Sequence, residues 1–311
     1  MSEVTIGVDI SKDHLDVYCL PDEQSKQFTN TAAGYRQLKS WLKGLPVARI
    51  IFEPTGSYHG AFELALSGSY PLSKVNPWQA RRFAQAKGKR AKTDRIDARL
   101  LAQMGQDFQL EPDKPVDASL CHLKEIRVAR QALVKEATQL ENRLKTQRVN
   151  LVRKQTQQRL KLVRKQLEAL NAETQKQIEQ SPQRARAAKI LHSIPGLGQV
   201  AVAALVIEMP ELGQLSRKQA AALAGLPPMT RQSGRWRGAA FIQAGRKPVR
   251  DALYMPAVVA SRYNPDLKAK YNQMRAAGKP PKIAIIALMR KLIELANALI
   301  KADRQWQPKT A

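Results

Sequence analysis

The middle of this 311-residue chain lacks the two residue types that usually interrupt helices. No glycine occurs between Gly105 and Gly196, and no proline occurs between Pro115 and Pro182. Apolar residues recur there at spacings of seven, four and three, at Leu133, Leu140, Leu144 and Leu151 and then at Leu160, Val163, Leu167 and Leu170. Such spacing predicts a helical hairpin or a pair of long helices with a coiled-coil-like seam, and the polar segment 153–158 is the candidate tip of the hairpin. The arm is either a plain antiparallel spacer or a dimerisation surface.

The segments on either side of this arm differ from it and from each other. Before it, strand-like runs such as VTIGVDIS, HLDVYCL, SKQFTN, ARIIFEP and PLSKVNP alternate with helical segments, which predicts an α/β domain with a mixed sheet. After it, the chain is helical and punctuated by Gly and Pro. We therefore predict domains at 1–112, 113–184 and 185–302, followed by a disordered tail at 303–311.

The charge of the chain indicates its partners. Lys and Arg total 52 against 26 Asp and Glu, giving a net charge of +26 and a pI near 10.3. Double-stranded DNA is the leading candidate, because neutralising its phosphates releases counterions. An anionic membrane is the rival, but no apolar run is long enough to span a bilayer and no signal peptide is evident, so we expect no membrane partner and a cytoplasmic, nucleoid-associated protein. Cys19 and Cys121 make neither a disulfide framework nor a zinc site.

Four acidic residues stand in an order that suits a metal site. Asp9 and Glu53 end strand-like runs, and Asp94 and Asp97 lie three apart in KTDRIDARLL, on one face of a predicted helix. Mg²⁺ prefers oxygen ligands, and two such ions can clamp the attacking and leaving oxygens of a phosphodiester. A single acidic residue of this kind is ordinarily a helix cap or a surface charge. The four acidic residues together predict a binding site for Mg²⁺, or for Mn²⁺ in its place.

Basic residues surround the predicted site. The run before the Asp94 helix includes Arg81, Arg82, Lys87, Lys89, Arg90 and Lys92. A solvated helix face is the ordinary explanation of such a run. Because this one adjoins the acidic residues, we predict that it contacts a nucleic-acid backbone.

A second constellation lies in the last third of the chain, where no acidic residue occurs between Glu211 and Asp251. This segment contains Ser233 followed by Gly234, with nucleic-acid contacts predicted at Arg231, Arg235, Arg237, Arg246 and Lys247. Ser-Gly is ordinarily only a turn. A serine among arginines can also attack phosphorus, since the guanidinium groups stabilise the pentavalent phosphate.

The IPGLG segment is the last candidate. It reads as a tight turn between two helices and resembles a helix-hairpin-helix element, in which backbone N–H groups at Gly196 and Gly198 would meet a DNA phosphate. An αα-corner in a core is the alternative.

Taken together, these motifs resemble the DEDD-type insertion-sequence transposases, also called Piv-like recombinases or the IS110 group. The resemblance rests on GVDISKDHLDV, FEPTGSY, NPWQARRFA and KTDRIDARLLA near the start, and on IPGLG, QAAALAGLPPMTRQSGRWRG, VRDALYMPAVVASRYNP and GKPPKIAIIALMRKL near the end. The middle matches only in helical character.

The resemblance implies more than the residues alone. It implies an RNase H-like (RuvC-like) N-terminal domain, a coiled-coil arm and a mostly α C-terminal transposase domain. The family's four carboxylates match Asp9, Glu53, Asp94 and Asp97, and its catalytic serine matches Ser233. It further implies Mg²⁺-assisted attack on donor and target DNA, a covalent phosphoserine–DNA intermediate, composite sites between subunits of a homodimer or homotetramer, and a structured non-coding guide RNA (a bridge RNA).

Three alternatives stay open at this point. A RuvC-like Holliday-junction nuclease would need only the carboxylates and would cut by water attack. An unguided DNA invertase would use the same residues. A non-catalytic nucleic-acid-binding protein would need only the charge.

Overall fold

A computed structural model describes residues 3–54, 56, 58–88, 94–115, 117–230, 232–234 and 236–308, although not the side chains of residues 94–96 and 236–237. The chain divides into two compact units, Met1–Ala118 and Ser119–Ala311. Within the described residues, no helix is long and apolar enough to cross a membrane.

The first unit is built on a mixed sheet of five strands. The strands are β1 (Val4–Ile10), β2 (His14–Leu20), β3 (Gln24–Thr29), β4 (Val47–Phe52) and β5 (Leu72–Lys74), in the order β3-β2-β1-β4-β5. β1 pairs antiparallel with β2, and β2 with β3, whereas β1–β4 and β4–β5 are parallel. The predicted α/β unit with a mixed sheet is confirmed, and the arrangement is consistent with an RNase H-like domain.

Helices cover both faces of this sheet. α1 (Ala32–Leu42) and α2 (His59–Leu66) pack against the face that carries Ile6, Val8 and Ile10. α3 (Pro77–Ala86) and α4 (Asp94–Asp107) follow β5, and α4 packs on β1, β2 and β4. Because side chains alternate between the two faces along β1, its odd-numbered residues point towards α4.

The approach of α4 to the sheet depends on two glycines. A Cβ placed on Gly7 would stand 2.0 Å from the carbonyl oxygen of Ala98 and 2.5 Å from the amide nitrogen of Ala102. At Gly105, within α4, a Cβ would stand 2.3 Å from the Ile51 side chain. Since any larger residue would collide with the partner element, these glycines fix how close helix and sheet can come.

The second unit begins with the predicted helical hairpin. Its helices are α5 (Ala118–Thr146) and α6 (Asn150–Glu179). Their seam buries Ala137, Leu140, Leu160 and Val163, with Leu133, Leu144 and Leu167 packed beside it. The hairpin is confirmed, but its tip is wrong: the turn lies at 147–149, and residues 153–158 belong to α6. Arg, Lys and Gln are good helix formers and are exposed on its surface, so polarity alone does not break the helix.

Six further helices complete the described part of this unit: α7 (Pro182–His192), α8 (Gln199–Glu208), α9 (Arg217–Leu223), α10 (Lys247–Tyr263), α11 (Pro265–Ala276) and α12 (Pro281–Lys301). Two short strands, β6 (Gln232–Ser233) and β7 (Trp236–Arg237), pair antiparallel between α9 and α10. The core lies among α7, α8, α10 and α12, with Leu205, Leu253, Leu288 and Leu292 fully buried.

The predicted disordered tail is wrong for its first residues. Asp303 receives hydrogen bonds from Arg186, the Trp306 amide donates to the Ser193 hydroxyl at 2.7 Å, and the Trp306 ring packs against the core. An aromatic ring and a paired carboxylate give this segment enough contact to offset the entropy of ordering it.

Candidate active site

Asp9 and Glu53 lie side by side at one edge of the sheet. Val8 of β1 pairs with Phe52 of β4, and the two strands are parallel. The residues that follow, Asp9 and Glu53, therefore occupy level positions at the carboxyl ends of adjacent strands. Both are half-buried. Two carboxylates at one sheet edge repel each other unless a cation or hydrogen-bond donors lie between them.

The first turn of α4 faces Asp9. Along α4, Gly105 contacts Thr5, while Ala102 and Ala98 contact Gly7, so the helix runs antiparallel to β1. Asp9 lies two residues beyond Gly7, about 6.6 Å along the strand. That distance corresponds to about four residues of helix, which leads from Ala98 and Ala102 back to the first turn. Asp94 is the first residue of α4, and Asp97, three residues later, is half-buried, so the backbone of both belongs to the first turn, which faces Asp9.

The side chains at the carboxyl ends of β1 and β4 and in the first turn of α4 carry the oxygen ligands that suit a hard divalent cation. Asp9, Glu53 and Asp97 supply carboxylate oxygens, the ligands that Mg²⁺ prefers. Among the described side chains, no three His, Cys, Asp or Glu residues stand close enough to hold a metal ion, but Asp94 does not belong to that set. Asp9, Glu53 and Asp97 each have polar or electrostatic partners in the structure.

Asp16 is an acidic neighbour of Asp9 that is not among the four predicted carboxylates. It pairs directly with Asp9 across β1 and β2 and accepts a hydrogen bond of 3.0 Å from Gln27. Directly paired residues of an antiparallel ladder point to the same face. Counting residues from the end of β1 to the start of β2 across the tight Ser11–His14 turn could have found this pair.

Asn30 ties together the two loops that follow the carboxylate strands. Its side-chain amide donates to the carbonyl oxygens of Ser11, at 2.8 Å, and Tyr58, at 3.2 Å. Its own oxygen accepts a hydrogen bond from the hydroxyl of Tyr35. Ser11 lies two residues after Asp9, and Tyr58 lies in the connection that begins at Glu53. One side chain thus holds both loops, which makes Asn30 a positioning residue that the sequence did not reveal.

Ser233 lies at the end of β6. It pairs with Trp236 of β7, and Gly234 follows it in the chain. Gly234 has φ +56, and a Cβ there would meet open space. Ser233 is exposed, and its hydroxyl has no hydrogen-bond partner among the described residues. The predicted loop is therefore a small β-hairpin that presents the serine to solvent.

The predicted basic contacts on α3 lie on an exposed surface. Asn76 caps this helix by accepting from the amide of Trp78, and the Arg82 guanidinium lies 5.2 Å from the ring centre of Trp78, which is 65% exposed. Arg81 is exposed, and Lys87 pairs with Asp107 at 2.7 Å. An exposed indole beside guanidinium groups can stack on a base. Outside the described residues lie Lys89, Arg90, Lys92, Arg231 and Arg235, as does the side chain of Arg237.

Arg246 is held by contacts within the second unit. Its guanidinium forms two hydrogen bonds to Glu211, at 2.7 and 2.8 Å, and one to the carbonyl oxygen of Glu208 at 2.6 Å. The hydrogen bond with Glu211 raises the pKa of Arg246 despite the opposing effect of burial. Burial alone would raise the pKa of Glu211, but the hydrogen bonds from Arg246 and its own backbone hold it below its usual value. We therefore propose that Arg246 anchors the start of α10. Lys247 is exposed and pairs with Asp251 at 2.6 Å.

The two IPGLG glycines have different surroundings. The predicted helix–turn–helix is present as α7, a turn and α8. Gly196 has φ +107, and a Cβ there would stand 2.9 Å from the Pro256 carbonyl oxygen, so this residue packs against α10. Gly198 is exposed and caps α8 without a side-chain hydrogen bond. Packing against α10 explains why position 196 is a glycine, whereas the backbone amides that follow Gly198 are accessible to an anion.

Comparisons with known proteins identify the family to which the chain is similar. A family model for DEDD transposases of the IS110 type, described as "Transposase", matches residues 6–152, and the model "Transposase IS116/IS110/IS902 family" matches residues 188–272. The pilin gene-inverting proteins of Moraxella bovis and Moraxella lacunata are each 29% identical to this chain, covering 98% of both sequences. An insertion element IS900 42 kDa protein of Mycobacterium paratuberculosis is 30% identical over 44% of the chain and 35% of its own length.

Proposed function

The chain belongs to the IS110 family of transposases and is a DNA-recombining enzyme, and we propose that it excises and inserts a mobile element by serine attack on DNA phosphodiesters. The observation that supports the proposal is the level position of Asp9 and Glu53 at the carboxyl ends of β1 and β4, two strands on which α4 packs. A sheet with this strand order and its carboxylates at one edge supports an RNase H-like (RuvC-like) catalytic domain.

Ser233 is the proposed nucleophile. Its Oγ attacks a backbone phosphorus, so that an Oγ–P bond forms while the bond from phosphorus to one deoxyribose oxygen breaks. The serine proton leaves to a base, and the departing oxygen becomes a free hydroxyl. A second DNA hydroxyl then attacks the phosphoserine and restores Ser233. Because each phosphodiester bond broken is replaced, strand exchange needs no energy-rich cofactor.

Asp9, Glu53, Asp94 and Asp97 would hold Mg²⁺ or Mn²⁺. The ion would supply a charge that stabilises the pentavalent phosphate. The protein's own part is geometric: β1 and β4 hold two ligands, the first turn of α4 brings the others, and Asn30 fixes the loops beyond both strands.

Nucleic-acid binding is distributed over basic surfaces, and we propose that it includes a structured guide RNA. The net charge of +26 and the exposed Trp78 and Arg82 support a polyanionic partner. RNA that co-purifies from cells carrying the gene with its native flanks would test this. One abundant structured RNA that maps beside the gene supports guidance, whereas random cellular RNA contradicts it.

A trapped-adduct assay tests the nucleophile. Labelled DNA carrying the gene's own flanking sequence is mixed with protein, Mg²⁺ and the co-purified RNA, and then resolved under denaturing conditions. We expect Ser233→Ala to abolish the covalent adduct and to keep DNA affinity. Ser69→Ala, an exposed serine in the first unit, is the matched control. An adduct that survives in Ser233→Ala refutes the assignment.

The same assay separates the alternative of a RuvC-like junction nuclease. Water attack needs the carboxylates and not the serine, so cleavage that persists in Ser233→Ala but disappears in Asp9→Asn would favour it. Asp13→Asn removes the same charge from an exposed turn and serves as the control. A non-catalytic nucleic-acid-binding protein would show strong salt dependence of affinity and no adduct with any variant.

A second candidate function is DNA inversion. It is favoured by the full-length match to two relatives named as pilin gene-inverting proteins. The chemistry at Ser233 would be identical, and only the arrangement of the two sites in DNA differs. A plasmid carrying the sites in inverted or in direct orientation decides between inversion and excision.

A further inference from the structure

A cavity of about 230 Å³, lined by both apolar and polar groups, lies at the base of the helical hairpin, within the second unit. One wall is formed by α5 and α6 and the other by α8 and the first turn of α10. Ala203 and Ile207 of α8 line it with apolar surface, whereas Gln199 and Asn171 supply amide groups. None of these residues entered the proposed reaction.

Two arginines face the cavity from α5. Arg127 and Arg130 stand three residues apart, which places them on the same helix face. Each is anchored by its Nε, Arg127 to the carboxylate of Glu208 at 2.7 Å and Arg130 to the amide oxygen of Asn171 at 2.6 Å. Within the described residues, the terminal guanidinium nitrogens of both arginines have no protein partner. Their donors are therefore held in place and available for an anion.

The charges around the cavity are not balanced. Glu208 offsets Arg127, and Asp251, which also lines the cavity, is paired with Lys247 at 2.6 Å. Arg130 has only the neutral Asn171, and burial together with the nearby charge of Arg127 lowers its pKa. The first turns of α8 and α10 also line the cavity, and their N-termini carry partial positive charge. One negative group between the arginines would relieve this repulsion.

We propose that this cavity binds one phosphate group of a nucleic-acid strand, held by the free guanidinium nitrogens of Arg130 and Arg127. The volume lies below the range of about 300–1,000 Å³ that is usual for small-molecule sites, and it suits a phosphodiester with its sugar better than a whole nucleotide. The sugar packs against Ala203 and Ile207, and the amides of Gln199 and Asn171 meet its hydroxyls. The proposal rests on nucleic acid being the substrate, but it does not depend on Ser233.

Fluorescence anisotropy with the full chain and a labelled single-stranded oligonucleotide tests this, with DNA and RNA versions of one sequence measured at several salt concentrations. Arg130→Gln should weaken binding about tenfold and reduce the salt slope by about 0.7, the value for one phosphate contact on a single strand. Arg153→Gln removes the same charge from an exposed position of α6 and should change affinity less than twofold.

Two changes at Gln199 separate charge from folding. Gln199→Glu places a carboxylate beside the cavity, where it should repel phosphate, yet an acidic residue at the start of α8 favours the helix. We expect weaker binding with an unchanged or higher melting temperature. Gln199→Lys should strengthen binding instead.

A measurement with inorganic phosphate distinguishes binding of a free anion from binding of a nucleic-acid phosphate. If phosphate raises the melting temperature of the wild type but not of Arg130→Gln, while oligonucleotide affinity is equal in the two, then the site takes a free anion and the proposal is overturned. Equal salt slopes for wild type and Arg130→Gln would overturn it as well. The Ser233 adduct assay is unaffected by either result, so failure here leaves the recombination proposal standing.

Discussion

Replacing Gly7 by alanine should separate the two halves of the carboxylate site. The new Cβ would lie 2.0 Å from the Ala98 carbonyl oxygen and 2.5 Å from the Ala102 nitrogen, and both are backbone atoms that no rotamer change can move. Ordinary contact begins near 3.4 Å, so α4 must shift from β1 by about 1.4 Å. That shift would carry Asp94 and Asp97 away from Asp9.

Two quantities should change by different amounts. Overpacking of this kind destabilises a domain by about 1–3 kcal/mol, which should lower the melting temperature by several degrees. A displacement of about 1 Å in a catalytic constellation can cost about a hundredfold in rate. We therefore expect the rate of adduct formation to fall about a hundredfold at temperatures where the variant remains folded, while affinity for DNA stays within about twofold.

Gly60→Ala is the matched control. Gly60 lies in α2, and a Cβ there meets nothing within 4 Å, so alanine should stabilise this helix by about 0.5–1 kcal/mol. Adduct formation should be unchanged. The reasoning is refuted if folded Gly7→Ala forms the adduct at the wild-type rate, because contact between β1 and α4 would then not control the site.

Three further changes follow from contacts in both units. Asn30→Ala removes two hydrogen bonds to loop carbonyls and one from a tyrosine, and should cost about 2–3 kcal/mol in urea unfolding and lower the adduct rate with little change in DNA affinity. Arg246→Gln leaves Glu211 without its ion-pair partner and should cost about 1–2 kcal/mol, since the pair is partly exposed to solvent. The pKa of Glu211 is lower in the folded protein than in the unfolded chain. Its ionised form therefore stabilises the fold above the unfolded pKa, and this stabilisation is lost as pH falls through the folded pKa. In Arg246→Gln, the acid unfolding curve should lack this contribution of Glu211. Gly196→Ala should lower the free energy of unfolding by about 2–4 kcal/mol, because the residue has a positive φ and its Cβ would collide with α10. Gly198→Ala should lower it by less than about 1 kcal/mol. Equal losses of stability in the two variants would contradict the packing argument.

The strands were predictable because their successive residues point alternately to the buried core and to the opposite face of the sheet. The runs that contain Asp9 and Glu53 end on polar residues, and parallel pairing then brings the two acids level. The sequence does not contain the distance between β1 and α4. That distance depends on Gly7 and Gly105, whose importance is visible only when the two elements are in contact.

α3 was missed where a local signal was available. Asn76 followed by Pro77 is a helix start, with a capping side chain and a proline in the first turn, but the basic run after it was interpreted only as a nucleic-acid contact. The density of positive charge hid this signal. Exposed Arg and Lys are compatible with a helix, so charge should not have outweighed the cap.

The role of Arg246 could not have been read from its neighbours. It lies in an acid-free segment, yet its partner, Glu211, is 35 residues earlier in the chain. Asn30 poses the same problem, since it bonds with Tyr58 at a separation of 28 residues. Contacts that bridge loops or elements far apart in sequence leave no periodic pattern, and they were found only in the folded structure.

The hairpin that carries Ser233 has a thermodynamic consequence. Its two strands have two residues each, and the next pairing among the described residues is the Met229–Phe241 bridge. Moving the serine towards a phosphate therefore breaks a few exposed backbone hydrogen bonds and disturbs none of the buried leucines among α8, α10 and α12. Such local opening requires only a small fraction of the global unfolding free energy. Amide exchange should be fast at Ser233 and slow at Leu253, so the chain can reposition this serine while its core stays folded.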